Sequence, residues 1–393
     1  MLIGLVGKPS VGKSTFFKAA TLAEVEIASY PFTTIKANHG VGYVKVECID
    51  KEFDADCNPN HGFCLDHHRF VPVDMMDVAG LVKGASEGKG LGNQFLDDLR
   101  QADVFIHVVD ASGTTDAEGK VTEGYDPSGD VEFLEDELNT WFYNILMKVW
   151  KSFARKTEME NVKVSEAIAQ QFSGLKVNED QVKDALRKLN LPERPTQWKE
   201  EQIMEFAAEL RAKSKPMIIA ANKCDHEDAE KNIKKMQDKF PELMIYPCSA
   251  DSELALRQAA KAEMIKYIPG EKDFEVLKKL DAKQLSALDK IKKSVLKKYD
   301  GTGVQEIINL AIFDLLGYLA IFPASASKLG DSKGNILPDC FLLPPGSTAL
   351  DFAFFLHTDF GKGFIKAIDA RTKKAVGKDY ELKNRDALEI VTR

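Results

Sequence analysis

The chain has 393 residues, of which 44% are hydrophobic and 29% are charged, and its formal net charge at pH 7 is −8. This composition is typical of soluble globular proteins and excludes the disordered and fibrous classes. At roughly 150 residues per domain, the length predicts two or three domains. Because the net charge is negative, any contact with nucleic acid has to come from a local basic patch.

The first residues of the chain and its cysteine content predict where in the cell the protein is located. The chain opens Met-Leu-Ile-Gly-Leu-Val with no basic stretch before the glycines, and it contains no run of 18 apolar residues. Neither a secretion signal nor a membrane span is therefore expected. Six cysteines are too few in a chain of this length for a disulfide scaffold, so we expect a reducing, cytoplasmic location.

Short apolar runs separated by helix-length segments recur through the first two-thirds of the chain. They occupy residues 2–6, 104–109, 217–221 and 244–248. Continuous apolarity over five or six residues is typical of parallel strands covered by helices on both faces. The sequence therefore predicts a doubly wound α/β sheet. Two less apolar strands, near residues 42–49 and 69–76, are expected to form a hairpin with a polar inserted tip.

Two further units interrupt and follow this sheet. Residues 126–212 lack strand-like runs and predict a helical insertion, whose three tryptophans are expected in its core. In the last 90 or so residues, a strand at 340–343 precedes a helix opened by Thr348 and Asp351 as a capping box. Three more strands, at 364–368, 380–382 and 387–391, predict a small β-grasp unit. The expected domains are residues 1–125 with 213–304, then 126–212, then 305–393.

The residues that follow the first strand are a complete match to the phosphate-binding loop pattern, from Gly7 to Ser14. Its glycines let backbone N–H groups turn toward phosphate at a helix N-terminus. Lys13 is expected to reach the β- and γ-phosphates, and the Ser14 hydroxyl can bind Mg²⁺.

Three later motifs distinguish a GTPase from a kinase or an ATPase. Asp77 ends a strand and can hold Mg²⁺ through water, and the amide of Gly80 can meet a γ-phosphate. Asp225, in Asn-Lys-Cys-Asp, can accept the N1–H and 2-amino groups of guanine, donors that adenine lacks on that edge. Ser249-Ala250 can present backbone N–H to guanine O6. The residues expected to contact nucleotide are Gly7, Pro9, Ser10, Val11, Gly12, Lys13, Ser14, Thr15, Asn222, Lys223, Asp225, Ser249 and Ala250.

With these motifs in order, the sequence resembles the Obg-related GTPases of the translation-factor class, specifically the archaeal and eukaryotic-type YchF-like subgroup with a C-terminal TGS domain. The resemblance covers nearly the whole chain. Besides the motifs above, it rests on residues 30–34, 81–93, 95–100 and 357–364. It implies a P-loop sheet, a TGS β-grasp module, GTP or GDP with Mg²⁺ as ligands, and a role in translation or ribosome function. It also implies that Thr34 completes the coordination shell of Mg²⁺. The expected magnesium ligands are therefore Ser14, Thr34 and Asp77. The expected catalytic residues are Lys13, Thr34 and Gly80.

The sequence departs from these relatives at informative positions. YchF proper replaces the guanine-reading motif and prefers ATP, whereas this chain keeps Asn222, Lys223 and Asp225, so GTP is expected. Ser10 stands where many Obg-class loops carry the Asn linked to potassium activation, which leaves potassium dependence open. Leu81 stands where Ras-type GTPases place a water-orienting glutamine, so slow intrinsic hydrolysis is expected unless another switch residue orients the water. Two alternatives remain open: a YchF-like ATPase, and an RNA-binding protein with nucleotide as a structural ligand.

Cysteines and histidines gather in the hairpin tip, where bacterial YchF has no equivalent insertion. Four of them, Cys48, Cys57, Cys64 and His67, could enclose Zn²⁺. Their spacing matches no standard zinc ribbon, and ordinary solvated or core residues are the alternative reading.

A predicted helix at 277–298 carries eight lysines against two aspartates. The ribosome or a structured RNA is therefore the expected partner, through this helix and the TGS module, and no DNA or membrane partner is expected. A solvated helix face is the alternative.

Overall fold

The computed structural model describes residues 1–21, 39–78, 99–325, 329–330 and 334–393. The strands are β1 Leu2–Val6, β2 His39–Glu47, β3 Phe63–Leu65, β4 His68–Asp77, β5 Val104–Asp110, β6 Met217–Asn222, β7 Met244–Pro247, β8 Ile265–Lys266, β9 Glu275–Val276, β10 Leu319–Pro323, β11 Phe341–Leu343, β12 Phe364–Asp369, β13 Ala375–Val376 and β14 Ala387–Thr392. The helices are α1 Lys13–Thr21, α2 Ser128–Met159, α3 Val164–Gln171, α4 Glu179–Leu189, α5 Glu200–Ser214, α6 Ala229–Lys239, α7 Ala250–Lys261, α8 Ala282–Ile291, α9 Lys297–Tyr299, α10 Val304–Asn309, α11 Ala349–Leu356 and α12 Thr358–Lys362, with π-helical turns at Lys292–Leu296 and Leu310–Leu315.

The main sheet has seven strands in the order β2-β4-β1-β5-β6-β7, with β3 paired to β4. Strands β4, β1, β5, β6 and β7 are parallel, and β2 runs antiparallel to β4. This confirms the predicted doubly wound α/β fold and the predicted hairpin. The register pairs Leu5 with Asp77 and Asp110 with Asn222, which brings the motif residues to one edge of the sheet.

The helical insertion packs on one face of this sheet. Its core contains the three tryptophans, all buried, with the rings of Trp150 and Trp198 5.1 Å apart. The tryptophans therefore fill a hydrophobic core, as predicted. None of the helices within the described ranges is both long enough and apolar enough to cross a bilayer.

The C-terminal unit is a five-stranded sheet in the order β11-β10-β14-β12-β13 with α11 packed on it. Thr348 and Asp351 form the predicted capping box of α11. The predicted strand at 380–382 is reduced to one bridge, between Thr348 and Glu381, and β10 is an additional strand.

The lysine-rich helix begins later than predicted, and the predicted start of the third unit at residue 305 stays a prediction. Residue 305 lies inside α10, whose Ile307 and Ile308 are buried. The lysine-rich helix was expected from residue 277, but α8 begins only after Asp281. The side chain of Asp281 accepts a hydrogen bond from the backbone N–H of Gln284 and caps the helix there.

Candidate nucleotide-binding site

The loop between β1 and α1 has the tight backbone of a phosphate-binding turn. Gly7 and Gly12 have φ angles of +152° and +92°, which side-chain-bearing residues rarely adopt. A Cβ atom on Gly7 would lie 2.5 Å from the backbone oxygen of Val108, and one on Gly12 would lie 2.3 Å from the side-chain nitrogen of Asn222. Glycine is therefore required at both positions, and the loop leads directly into the N-terminus of α1, where helix N–H groups are free to meet an anion.

Lys13, Ser14 and Asp77 converge at the start of α1. The Ser14 hydroxyl donates a hydrogen bond of 2.9 Å to Asp77 Oδ2, and Lys13 Nζ lies 3.9 Å from Asp77 Oδ1. Burial lowers the pKa of Lys13, and the charge of Asp77 opposes that shift. Asp77 Oδ1 is buried and accepts no hydrogen bond from any described residue. A hydroxyl and a carboxylate oxygen with a free lone pair fit Mg²⁺, which prefers oxygen ligands.

Asn222 connects the two ends of the site. Its side-chain nitrogen donates to the backbone oxygen of Val11 at 2.8 Å, and its Oδ1 accepts from the backbone N–H of Ala250 at 3.0 Å. The residue is buried at the end of β6. Asn222 was expected to read guanine, and that role stays a prediction; in the structure its side-chain amide also holds the phosphate loop against the loop before α7.

Asp225 and Ser249 lie together at the base end of the site. The Ser249 hydroxyl donates to Asp225 Oδ1 at 2.9 Å and fixes the orientation of the carboxylate. The backbone N–H groups of Ser249 and Ala250, which were expected to serve guanine O6, donate to Thr302 O and Asn222 Oδ1. Both N–H groups are engaged within the protein in this structure, and their role toward guanine O6 stays a prediction.

Lys223 and Asp110 form an ion pair that sequence reasoning missed. Lys223 Nζ lies 2.8 Å from Asp110 Oδ2, and Ser112 and Thr115 also donate to this buried carboxylate. Burial raises the pKa of Asp110, but hydrogen bonds from Lys223 and the two hydroxyls outweigh burial and lower it overall. Asp110, at the end of the neighbouring strand β5, thus fixes the position of the Lys223 side chain. The sequence feature that could have indicated this role is an aspartate at the end of an apolar strand.

Lys8 is a second residue that sequence reasoning missed. Its side chain is buried, with Nζ 2.8 Å from Asp130 Oδ2, 2.9 Å from the backbone oxygen of Thr115 and 4.1 Å from the centre of the Tyr125 ring. Asp130 belongs to the first turn of α2. Lys8 therefore joins the phosphate loop to the helical insertion.

The remaining predicted residues are placed as follows. Pro9 and Ser10 lie in the exposed bend of the loop, where Ser10 has a φ of 65°, and Thr15 is half-buried in the first turn of α1. Thr34, Gly80 and Leu81 lie outside the described residues, so their expected roles stay predictions.

Three family models match this arrangement in consecutive parts of the chain. They are described as a 50S ribosome-binding GTPase, over residues 2–138; as an Obg-like GTPase YGR210-like, G4 motif-containing domain, over residues 220–325; and as a TGS domain, over residues 333–392. An uncharacterized GTP-binding protein of Methanocaldococcus jannaschii is 51% identical over 100% of this chain and 99% of its own. The ribosome-binding ATPase YchF of Bacillus subtilis is 31% identical over 93% of this chain and 87% of its own. The chain belongs to the YchF group of Obg-like GTPases.

Solved structures agree with this membership. The crystal structure of a GTP-binding protein from Pyrococcus horikoshii OT3 matches this YchF-group chain over the full length of both, with a TM-score of 0.81 and 42% identity. The structure of the Schizosaccharomyces pombe YchF GTPase matches with a TM-score of 0.60 and 23% identity, over 100% of this chain and 97% of its own. At that identity the second match supports the fold alone.

The hairpin tip of this YchF-group protein brings together the cysteines that were predicted as metal ligands. Cys48 Sγ and Cys57 Sγ lie 3.7 Å apart, and Cys64 Sγ lies 3.8 Å from Asp50 Oδ2. Hydrogen bonds from Cys57 and Cys64 lower the pKa of the Cys48 thiol. His67, the fourth predicted zinc ligand, instead places Nδ1 3.1 Å from Asp50 Oδ1. The structure thus puts Asp50 in the ligand cluster and His67 outside it.

Proposed function

We propose that this protein is a GTP-hydrolysing switch that acts in translation or on the ribosome. The observation that carries the proposal is the geometry of one continuous edge of the sheet. Lys13, Ser14 and Asp77 meet at its phosphate end, Asp225 and Ser249 meet at its base end, and Asn222 holds both ends in register.

Each of these residues has a defined task toward the nucleotide. The loop N–H groups and the Lys13 ammonium neutralise the charge of the β- and γ-phosphates. Ser14 and Asp77 would hold Mg²⁺, which would offset the negative charge of the phosphates when it is bound. Gly80 and Thr34 are the sequence-predicted partners of the γ-phosphate and the metal, and they supply the means by which the protein would distinguish GTP from GDP.

Guanine selectivity is proposed to come from Asp225. The Ser249 hydroxyl occupies part of Oδ1, which leaves carboxylate lone pairs to accept the N1–H and 2-amino hydrogens of guanine. Adenine offers neither donor at that edge, so its binding would leave a desolvated carboxylate unpaired. Several relatives are named ATPases, so competition of ATP against GTP for the purified protein tests this directly. Preferential displacement by GTP supports the proposal, and preferential displacement by ATP supports a YchF-like ATPase.

Intrinsic hydrolysis is expected to be slow. Leucine at position 81 can neither donate a hydrogen bond to the nucleophilic water nor accept one from it. Unless another switch residue orients that water, the rate should not exceed the roughly 10⁻⁴ to 10⁻³ s⁻¹ of unassisted Ras-like switches. Single-turnover release of phosphate from bound GTP measures this rate. Turnover near 1 s⁻¹ without a partner would contradict the explanation. Nucleotide that co-purifies and never exchanges would instead support a structural ligand.

The proposed contact with the ribosome or with RNA depends on the lysines between residues 277 and 298. Some of these lysines are ion-paired within the protein, which lowers the positive charge available to phosphate. Of the eight lysines between residues 277 and 298, four pair with carboxylates: Lys278 with Glu263, Lys292 with Asp273, Lys293 with Asp289 and Lys298 with Glu230. The other four are exposed and have no ion-pair partner in the part of the chain that the structure describes: Lys279, Lys283, Lys290 and Lys297. Only this unpaired set is fully available to phosphate.

Neutralising the unpaired set to glutamine should therefore weaken ribosome association more than neutralising the paired set. Each phosphate that the variant no longer neutralises should flatten the salt dependence of binding by about 0.7–0.9 on a log–log plot. Co-sedimentation with ribosomes over a range of salt concentrations, in GDP and in a non-hydrolysable GTP analogue, measures both effects. GTP affinity should stay unchanged in both variants. If both quadruple variants co-sediment like the wild type, this segment is a solvated surface and the contact lies elsewhere.

The TGS unit offers an apolar surface for the same contact. Phe354, Phe355, Phe360 and Ile365 are each between 44% and 53% exposed, on α11, α12 and β12. Exposed aromatic rings can stack on unpaired bases. This surface and the unpaired lysines are the two parts of the chain that we propose contact RNA.

A further inference from the structure

We infer that the hairpin tip between β2 and β4 binds one Zn²⁺ ion through Cys48, Cys57, Cys64 and Asp50. The donor atoms of these four residues all lie within 4.8 Å of one another. They come from the end of β2, from the 3-10 turn Ile49–Phe53, from the loop after it and from β3. Four separate points of the tip therefore converge on one position.

Two of the distances between donor atoms are close to the edges of a tetrahedral zinc site. With a zinc–sulfur bond of about 2.3 Å, two thiolates of a tetrahedral site lie about 3.8 Å apart, and a thiolate and a carboxylate oxygen lie about 3.5 Å apart. The structure has 3.7 Å between Cys48 Sγ and Cys57 Sγ and 3.8 Å between Cys64 Sγ and Asp50 Oδ2. Cys48 and Cys57 are both free in this structure, since the sulfur atoms of a disulfide lie about 2.05 Å apart.

A buried arginine supports an anionic centre at this position. Arg69 is fully buried, and its Nη2 lies 2.7 Å from the backbone oxygen of Leu337 and 3.9 Å from Cys48 Sγ. Its Nε and Nη1 make no hydrogen bond, and no carboxylate lies within ion-pair distance, among the described residues. A buried guanidinium is strongly destabilising unless an opposite charge compensates it. Three thiolates and one carboxylate around Zn²⁺ carry a net charge of −2, which supplies that compensation.

The contacts of Asp50 are those of a supported metal ligand. Its Oδ1 accepts from the backbone N–H of Lys51 at 2.7 Å and lies 3.1 Å from His67 Nδ1. Oδ2 remains directed at Cys64. Outer hydrogen bonds of this kind orient a ligating carboxylate. His67 is therefore assigned to support Asp50 rather than to bind the metal.

The site would brace the GTPase domain against the TGS unit. The backbone N–H groups of Asn58 and Asn60 in the tip donate to the carbonyls of Ile336 and Pro338 at 3.1 and 2.8 Å. At its other end, β4 finishes at Asp77 in the nucleotide site. A metal-closed tip would hold this strand and the C-terminal unit in one fixed arrangement, independently of whether the proposed switch function is correct.

The test is the zinc content of the full-length protein purified without chelator, measured by elemental analysis. We expect about one equivalent in the wild type and loss of zinc in Cys57→Ser, whose thiol is only half-buried. Cys340→Ala is the matched control, because it removes another free cysteine of the same region that is not among the four donors, and it should keep the metal. His67→Ala should keep the metal with about 10- to 100-fold weaker affinity.

Titration of the zinc-free wild type with Co²⁺ makes the test independent of how well the variants fold. We expect thiolate-to-cobalt charge-transfer absorption and the visible bands of a tetrahedral site, reversed by Zn²⁺. Less than roughly a tenth of an equivalent of zinc after reconstitution, or a cobalt spectrum without thiolate bands, would overturn the site. Complete loss of metal in His67→Ala would overturn the assignment of Asp50 as the fourth ligand.

Discussion

Asp225→Asn is expected to weaken GTP binding by at least about a hundredfold and to reduce the preference for GTP over ATP. The substitution replaces a charged acceptor of two guanine donors by a neutral amide, and hydrogen bonds to a charged group contribute about 1.5–3 kcal/mol each. Ser249 still donates to the side-chain oxygen at this position, so the fold of the loop should be kept. Titration with fluorescent GTP, followed by displacement with ATP, measures affinity and preference together.

Asp228→Asn is the matched control for this prediction. Asp228 lies three residues further along, is also exposed, and precedes α6 without a side-chain capping bond. Removing the same charge there should leave the GTP dissociation constant within about twofold, because an exposed charge outside the pocket contributes little. Equal dissociation constants for the wild type and Asp225→Asn would show that the base is recognised elsewhere.

Gly12→Ala is the second change with a large expected effect, although it adds only one methyl group. The new Cβ would lie 2.3 Å from Asn222 Nδ2 and would push that side chain away from the Val11 carbonyl. A buried group left without its partner costs about 1–3 kcal/mol, and the left-handed backbone adds about 1–2 kcal/mol for a residue with a side chain. We expect a lower thermal midpoint and at least about tenfold weaker binding of GDP and GTP alike.

Gly124→Ala separates the two contributions. Gly124 has a φ of +70°, but a Cβ there would meet no atom within 4 Å. This variant should lose only the backbone contribution of about 1–2 kcal/mol and keep its nucleotide affinity. If Gly12→Ala binds nucleotide as tightly as Gly124→Ala does, the Asn222 side chain is not the link between the two loops.

Local sequence patterns were sufficient for the fold class and the family. Apolar runs of five or six residues predicted the parallel strands, since only strands covered on both faces need them. The phosphate loop and the later motifs each follow such a strand, and the carboxyl ends of parallel strands share one edge of a sheet. The capping box at Thr348 and Asp351 was likewise readable, because its contacts lie within one helical turn.

Contacts between distant parts of the chain could not be predicted in this way. Lys8 meets Asp130, Lys223 meets Asp110, and Asn222 meets Val11 and Ala250, and each pair joins different elements. The same limit applies to α10, because its sequence pattern does not state which sheet its apolar face covers.

The sequence by itself determined that this chain is a P-loop GTPase of the YchF group, because the motif residues and their order after strands carry that information locally. Only the tertiary structure decided what several of those residues do. Asn222 ties the phosphate loop to the loop before α7, half of the lysines at 277–298 are ion-paired, and Asp50, rather than His67, lies among the cysteines. In each case the partner lies far away in sequence or on another element, so only the packed chain determines which side chain comes within bonding distance.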